Sequence, residues 1–129
     1  MLKVLVVEDE EMIRKGIVLA VDWAALDCVV VGEASNGAQA LEAVERYDPS
    51  LIITDLKMPV MDGLEACRAI RSQNRADAAE IPVIAMTANT FKEDADAAAD
   101  AGMNGFVTKP VDVEYLYQVL ASLIQPKKY

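Results

Sequence analysis

The sequence predicts an α/β fold in which helices cover both faces of a parallel β-sheet. Short apolar runs alternate five times with stretches that have helical periodicity. Polar residues are rare in these runs, as expected of strands that are buried on both faces. Hydrophobic residues make up 53% of the chain and aromatic residues only 5%, so the predicted core is aliphatic. The length of 129 residues is that of one domain, which we expect to span residues 1–129.

The first half of the chain supplies three of the predicted strands. The first strand, residues 3–7, stops at four consecutive acids, Glu8 to Glu11. Acids are favourable near a helix N-terminus, so a helix is predicted next, with Ile13 and Ile17 facing inward. The following elements are a strand at 28–31, a helix with Leu41 and Val44 inward, and a strand that ends in Asp55.

In the second half of the chain, predicted helices continue to alternate with predicted strands. A helix with Leu64, Cys67 and Ile70 inward leads through a polar connection to a strand at 81–86, which ends at Thr87. An alanine-rich acidic helix over 91–101 precedes a strand at 106–108, which ends at Lys109 and Pro110. The last helix runs from Asp112 and has its apolar stripe at Val113, Leu116, Tyr117, Leu120 and Ile124.

Charge and composition exclude several classes of function. The net charge of −9 argues against direct binding to nucleic acid and against contact with an anionic membrane surface. No apolar run is long enough to span a bilayer, and we expect a cytoplasmic protein. Cys28 and Cys67 lack metal-ligand spacing and are predicted to be buried, reduced thiols. Because the chain has no histidine, its chemistry depends on carboxylates, hydroxyls and lysines.

Four of the five predicted strands end in polar or charged residues. In parallel sheets, ligands bind beyond the carboxyl ends of the strands, at the point where the strand order reverses. The residues at this edge are Glu8, Asp9, Asp55, Thr87 and Lys109. Strand ends that simply meet solvent would also be polar, but that does not explain three acids facing one lysine.

The three acids predict a cation site. Two like charges about 4 Å apart repel by roughly 1 kcal/mol in water and about 4 kcal/mol near a protein surface. Carboxylates without histidine or cysteine favour Mg²⁺, with Mn²⁺ as the alternative. A divalent ion, the Lys109 ammonium and the Thr87 hydroxyl would together suit the oxygens of a transferring phosphoryl group. Asp55 would then be the nucleophile and would become an aspartyl phosphate.

Four motifs carry a family resemblance that covers essentially the whole chain. They are Val6-Val7-Glu8-Asp9-Glu10, Thr54-Asp55-Leu56-Lys57-Met58-Pro59 followed by Met61-Asp62-Gly63, Met86-Thr87-Ala88, and Thr108-Lys109-Pro110. Together, in this order and spacing, they resemble the receiver domain of two-component response regulators. The resemblance implies a flavodoxin-like, doubly wound sheet of five parallel strands in the order 2-1-3-4-5, with five helices.

The resemblance also implies roles for individual residues. Asp55 would be the phosphoacceptor, and Glu8 and Asp9 the acid pair for Mg²⁺, with Glu8 a longer arm than the commoner Asp. The backbone carbonyl of Lys57 would be a further metal ligand. Lys109 would bind the phosphoryl group and would precede a cis proline.

Four positions have implied roles in switching and in phosphate lifetime. Thr87 would be the switch hydroxyl, and Phe106 would occupy the position of the switch aromatic, where the family often has Tyr. Lys57 and Asn89 would flank the path of the attacking water and tune the lifetime of the aspartyl phosphate.

The implied partner is a phosphohistidine on a histidine kinase or on a histidine phosphotransfer domain. The chain would catalyse its own phosphorylation and dephosphorylation without being an enzyme for a separate substrate, and it could dimerise when phosphorylated. Residues 21–37 resemble receivers fused to DNA-binding domains, whereas residues 81–109 look more like receivers of hybrid sensor kinases.

Two other classes of function share part of this pattern. A flavodoxin-like module that binds FMN shares the layer order, but four acids stand where it would need a phosphate-binding loop. An aspartate-nucleophile phosphatase generally needs a second acid two residues after the nucleophile, and Lys57 occupies that position.

Overall fold

The computed structural model describes residues 2–55, 63–72, 81–87, 92–108 and 112–124. Its five strands form one parallel sheet in the order β2-β1-β3-β4-β5, which confirms the predicted topology. The strands are β1 Leu2–Val7, β2 Cys28–Ala34, β3 Leu51–Asp55, β4 Val83–Thr87 and β5 Gly105–Thr108. The helices are α1 Glu11–Ala20, α2 Gly37–Tyr47, α3 Gly63–Arg71, α4 Lys92–Asp100 and α5 Val113–Ile124.

The two faces of the sheet pack against different helices. Leu5 and Val7 of β1 belong to a core cluster with buried residues of α2, α3 and α4. Val4 and Val6, which alternate with them, belong to a second cluster with buried residues of α1 and α5. Because successive strand side chains point to opposite faces, the near-continuous apolar run of β1 fills both clusters. The sheet is therefore covered on both sides, as predicted.

The strand order reverses between β1 and β3. The chain moves from β1 outward to β2, then returns to the other side of β1 to form β3. In the β1–β3 register Val7 lies beside Thr54, so the residues that follow them, Glu8 and Asp55, lie next to each other at the carboxyl edge of the sheet. The crevice in which ligands of such sheets bind is thus formed at these two residues.

Two strand boundaries differ from the prediction by more than one residue. β2 continues to Ala34, three residues beyond the predicted end, because Gly32 and Glu33 pair with β1 although neither is apolar. β4 begins at Val83 and not at Ile81, since Pro82 has no N–H to donate to the sheet. In addition, the segment before β2 forms a short 3-10 helix, Trp23–Leu26.

Both thiols are buried, as predicted, and they lie on opposite faces of the sheet. Cys28 belongs to the cluster with α1 and α5, and Cys67 to the cluster with α2, α3 and α4. Burial raises the pKa of both thiols, and the nearby Asp27 carboxylate raises that of Cys28 further. Neutral, buried thiols of this kind are structural.

Helices in the parts of the chain that the structure describes are too short or too polar to cross a membrane.

Arg71 joins three segments at the amino ends of β4 and β5. Its Nη1 donates to the Ile81 carbonyl at 2.6 Å, and its Nη2 donates to the Gly102 carbonyl at 2.6 Å and to Asn104 Oδ1 at 2.8 Å. Gly102 has φ +96°, and a Cβ there would lie 3.1 Å from Arg71 Nε. Gly102 is therefore required both by its backbone conformation and by the arginine packed against it.

We expect Arg71→Ala to lower the free energy of unfolding by about 2–3 kcal/mol, because three oxygen acceptors lose a charged donor. Arg68→Ala is the matched control, since Arg68 is exposed one turn earlier on α3, and it should change the free energy of unfolding by less than about 0.5 kcal/mol. Urea unfolding of the two variants measures both effects, and equal losses would contradict the role given to Arg71.

Candidate functional site

Three carboxylates meet at the crevice between β1 and β3. One oxygen each of Glu8, Asp9 and Asp55 lies within 4.8 Å of the other two. β3 delivers Asp55 as its last residue, and Glu8 and Asp9 directly follow β1. The structure thus brings together the three acids that the sequence placed at one sheet edge.

Two of the three acids are more buried than residues at strand ends that face solvent would be. Glu8 has 0% and Asp55 only 6% of its surface exposed, whereas Asp9 is exposed. The Glu8 side chain turns towards the start of α1, where its Oε2 accepts a hydrogen bond from the Glu10 N–H at 3.1 Å. Asp55 is covered because β3 lies between β1 and β4.

This arrangement fits a hard divalent cation. Burial weakens the solvent screening that would otherwise offset repulsion among the carboxylates. Oxygens bound to one Mg²⁺ lie at about 2.1 Å from it, and hence at most about 4.2 Å from each other. The three carboxylate oxygens lie within 4.8 Å of one another, so a small side-chain rotation, or a water between ligand and ion, would complete the coordination. Glu8, Asp9 and Asp55 could therefore hold Mg²⁺, which favours such ligands.

A second layer of charged side chains lies behind Glu8. Arg14 Nη1 donates to the Glu8 carbonyl at 2.7 Å, and Arg14 Nε donates to Glu33 Oε1 at 3.0 Å. Lys15 pairs with the other Glu33 oxygen at 2.9 Å. Burial alone would raise the pKa of Glu33, but hydrogen bonds from Lys15 and Arg14 outweigh it and lower that pKa. The sequence prediction missed Arg14, although an arginine beside the inward-facing Ile13 was a signal.

Thr87 lies at the same edge as the carboxylates. It is 2% exposed, and it follows Met86, which pairs with Asp55 in the β3–β4 register. On its other side Thr87 pairs with Thr108, the last residue of β5. The carboxyl ends of β1, β3, β4 and β5 therefore converge as the sequence predicted.

Phe106 lies on β5, which β4 separates from the strands that carry the carboxylates, and it lies beside α4. It pairs with Ala85 in the sheet, and its side chain packs against the core cluster on the α4 side. It also lines a cavity of about 160 Å³ together with residues of α4 and the turn before β5. The ring thus has open space next to it.

Three predicted site residues lie outside the described residues. They are Lys57, Asn89 and Lys109, and the peptide bond between Lys109 and Pro110 lies outside them too. Their predicted roles remain predictions.

Comparison with known proteins identifies the family. The family model described as the response regulator receiver domain matches residues 4–121. This chain belongs to that family. Receiver domains are the phosphoacceptor signalling modules of two-component systems, and that is the function of this chain. The match favours neither the FMN-binding module nor the phosphatase.

Relatives and solved structures agree with the assignment. The receiver domain is 34% identical over 117 residues to the nitrate/nitrite response regulator protein NarL of Escherichia coli (strain K12). The match covers 91% of this chain and 52% of NarL, so the chain spans about half the length of that relative. The structure is similar to the receiver domain of AraT, a response regulator from Geobacillus stearothermophilus, with a TM-score of 0.86 and 31% identity over 96% of this chain and 93% of that one.

A third comparison bears on the metal. The receiver domain of the sensor histidine kinase PA1611 from Pseudomonas aeruginosa PAO1 is 30% identical, with a TM-score of 0.78 over 97% of this chain and 98% of that one. In that structure a magnesium ion is coordinated in the active-site cleft. The acid cluster of this receiver domain has the donor chemistry for such an ion.

We expect Mg²⁺ to stabilise the wild type, because an ion that binds only the folded state shifts the folding equilibrium. At ten times the dissociation constant the gain is about 1.4 kcal/mol in the free energy of unfolding. Asp9→Asn should lose most of this gain, whereas Glu45→Gln, an exposed acid on α2, should keep it. Urea unfolding with and without Mg²⁺ measures the gain, and an equal gain in both variants would argue against the site.

Proposed function

We propose that Asp55 is the phosphoacceptor of this receiver domain and that Glu8, Asp9 and Asp55 bind the Mg²⁺ on which the transfer depends. The observation that carries the proposal is the cluster of three carboxylates, with oxygens within 4.8 Å of one another, at the point where the strand order reverses. We also propose that residues 1–129 form a single receiver domain.

The proposed reaction is a direct displacement at phosphorus. A carboxylate oxygen of Asp55 attacks the phosphoryl group of a phosphohistidine, the P–N bond breaks, and the leaving imidazole takes up a proton. The product is an acyl phosphate on Asp55. The donor histidine belongs to a histidine kinase or a histidine phosphotransfer domain, because this chain contains no histidine.

Charge compensation supports this mechanism. Bound Mg²⁺ supplies positive charge that offsets the charge of the phosphoryl oxygens, and Mn²⁺ would serve in the same way. Lys109 would add a fixed cation, and the Lys57 carbonyl would be a further ligand of the ion. Lys57 and Asn89 then tune how fast water removes the phosphoryl group. The chain acts on its own carboxylate and is not an enzyme for a separate substrate.

The output of the reaction is a changed surface on α4, β5 and α5. Phosphorylation adds about −1.5 to −2 charges, which attract the hydroxyl of Thr87. As Thr87 moves, the Phe106 ring turns inward, and the cavity of about 160 Å³ beside it gives support for such a movement. The altered surface serves a partner or a second copy of the receiver domain. These partners are proteins of the cytoplasm, and the net charge of −9 argues against direct binding to nucleic acid.

Acetyl phosphate with Mg²⁺ should add one phosphoryl group to the wild type, as measured by the intact mass of the protein. Asp55→Asn should not be modified, because the amide lacks the nucleophilic carboxylate. Asp100→Asn is the matched control, since Asp100 is exposed at the end of α4, and it should be modified like the wild type. Equal modification of Asp55→Asn would refute the assignment of Asp55.

Thr87→Val should separate phosphorylation from switching. The variant keeps the shape of the buried side chain but lacks the hydroxyl, so beryllofluoride with Mg²⁺ should still bind while NMR shifts in α4 and β5 fall to less than about half of the wild-type change. Thr108→Val, on the neighbouring strand, should switch normally. A full response of Thr87→Val would show that the hydroxyl does not transmit the signal.

A further inference from the structure

We propose that Arg14 is a positioning residue of the metal site, which holds the peptide that joins Glu8 to Asp9. The inference rests on the proposed function, because it takes Glu8 and Asp9 as metal ligands. Arg14 itself would not touch the ion. It would act through the backbone of the two residues that do.

The contacts of Arg14 tie the end of β1 to β2. The side chain is only 12% exposed, although arginine is usually a surface residue. Nη1 donates to the Glu8 carbonyl at 2.7 Å and lies 3.5 Å from Ser35 Oγ, while Nε donates to Glu33 Oε1 at 3.0 Å. The planar guanidinium thus spans the gap between the start of α1 and the carboxyl end of β2, a geometry that lysine cannot reproduce.

The Glu8 carbonyl, which accepts from Arg14, belongs to the peptide unit between the two proposed metal ligands Glu8 and Asp9. Glu8 is anchored on its amino side by its N–H, which donates to the Ala34 carbonyl at 3.0 Å. Arg14 anchors its carbonyl side. Because a peptide unit is planar, fixing this carbonyl also fixes the direction in which the chain enters Asp9. In an extended strand, consecutive side chains point to opposite faces, so both acids reach one site only if the chain turns here.

Binding of Mg²⁺ depends on the directions in which the Glu8 and Asp9 carboxylates point. The ion requires near-ideal octahedral coordination with short bonds, so a small rotation of either carboxylate weakens binding. Residues that orient metal ligands without touching the metal typically change affinity 10- to 100-fold when they are replaced. We therefore expect loss of Arg14 to weaken Mg²⁺ binding about tenfold or more.

A simple effect of charge predicts the opposite sign. The Arg14 guanidinium is a positive charge near the acid cluster, and by Coulomb repulsion alone it disfavours a cation there. If Arg14 acted only through its charge, its removal would strengthen Mg²⁺ binding, and Arg14→Lys would behave like the wild type. The sign of the change in affinity therefore distinguishes positioning from charge.

Calorimetric titration with Mg²⁺ tests the proposal on the intact receiver domain. Arg14→Ala and Arg14→Lys should both bind Mg²⁺ about tenfold more weakly than the wild type. Lys15→Ala is the matched control, because it removes the other cation that pairs with Glu33 and leaves the contacts of Arg14 in place, and it should bind within about twofold of the wild type. Unchanged or tighter binding by Arg14→Ala, or wild-type affinity of Arg14→Lys, would overturn the proposal.

Two further readouts exclude a general structural defect. With acetyl phosphate as donor, the Arg14 variants should need about tenfold more Mg²⁺ for half-maximal phosphorylation but should reach the wild-type rate at saturating Mg²⁺. Without metal, the NMR shift of the Glu10 amide, which donates to the Glu8 carboxylate, should change in both Arg14 variants and not in Lys15→Ala. A lower rate at saturation with an unchanged Mg²⁺ requirement would contradict the positioning role. If Arg14→Ala does not fold, Arg14→Lys decides all three measurements.

Failure of this inference can be told from failure of the proposed function. If Asp9→Asn binds Mg²⁺ as tightly as the wild type does, then the metal site itself is wrong. If Asp9→Asn loses Mg²⁺ binding and the Arg14 variants keep it, only the role of Arg14 is wrong.

Discussion

The close approach of three carboxylates at the ends of β1 and β3 is the constraint on which the rest of this receiver domain depends. Glu8 and Asp55 are almost fully buried, so solvent screens their charges less than it would at a surface. A folded chain keeps such groups together only with positive charge or hydrogen-bond donors nearby. The Glu10 N–H donates a hydrogen bond to the Glu8 carboxylate, and Arg14 donates one to the Glu8 backbone carbonyl. A divalent cation bound by the three carboxylates would add further positive charge to this site.

Different charged groups lie at the amino ends and at the carboxyl ends of the strands. At the amino ends of β4 and β5, Arg71 links α3 to the backbone at Ile81 and Gly102 through short charged hydrogen bonds. At the carboxyl ends lie the acid cluster and Thr87, which follows the β4 partner of Asp55. The contacts of Arg71 and the proposed phosphorylation site therefore lie at opposite edges of the sheet.

The sequence predicted those features that depend on local pattern. Apolar runs located the five strands, and the residues directly after them located the acid cluster, because all parallel strands end at one edge. Pairing between distant segments could not be predicted in the same way. β2 extends through Gly32 and Glu33 because it pairs with β1, and Glu8 is buried because its side chain turns under α1. The contacts of Arg14 and Arg71 were not predicted, because their shortest hydrogen bonds are to backbone carbonyls, and every residue has such an acceptor.

The most direct test of this account is to locate the phosphoryl group on the chain. After phosphorylation with acetyl phosphate and Mg²⁺, borohydride reduces an aspartyl phosphate to homoserine, which tandem mass spectrometry of the peptides can assign to one residue. Homoserine is expected at position 55, and this product should be lost when a chelator removes Mg²⁺. Reduction at Glu8, Asp9 or any other carboxylate, with Asp55 intact, would contradict it.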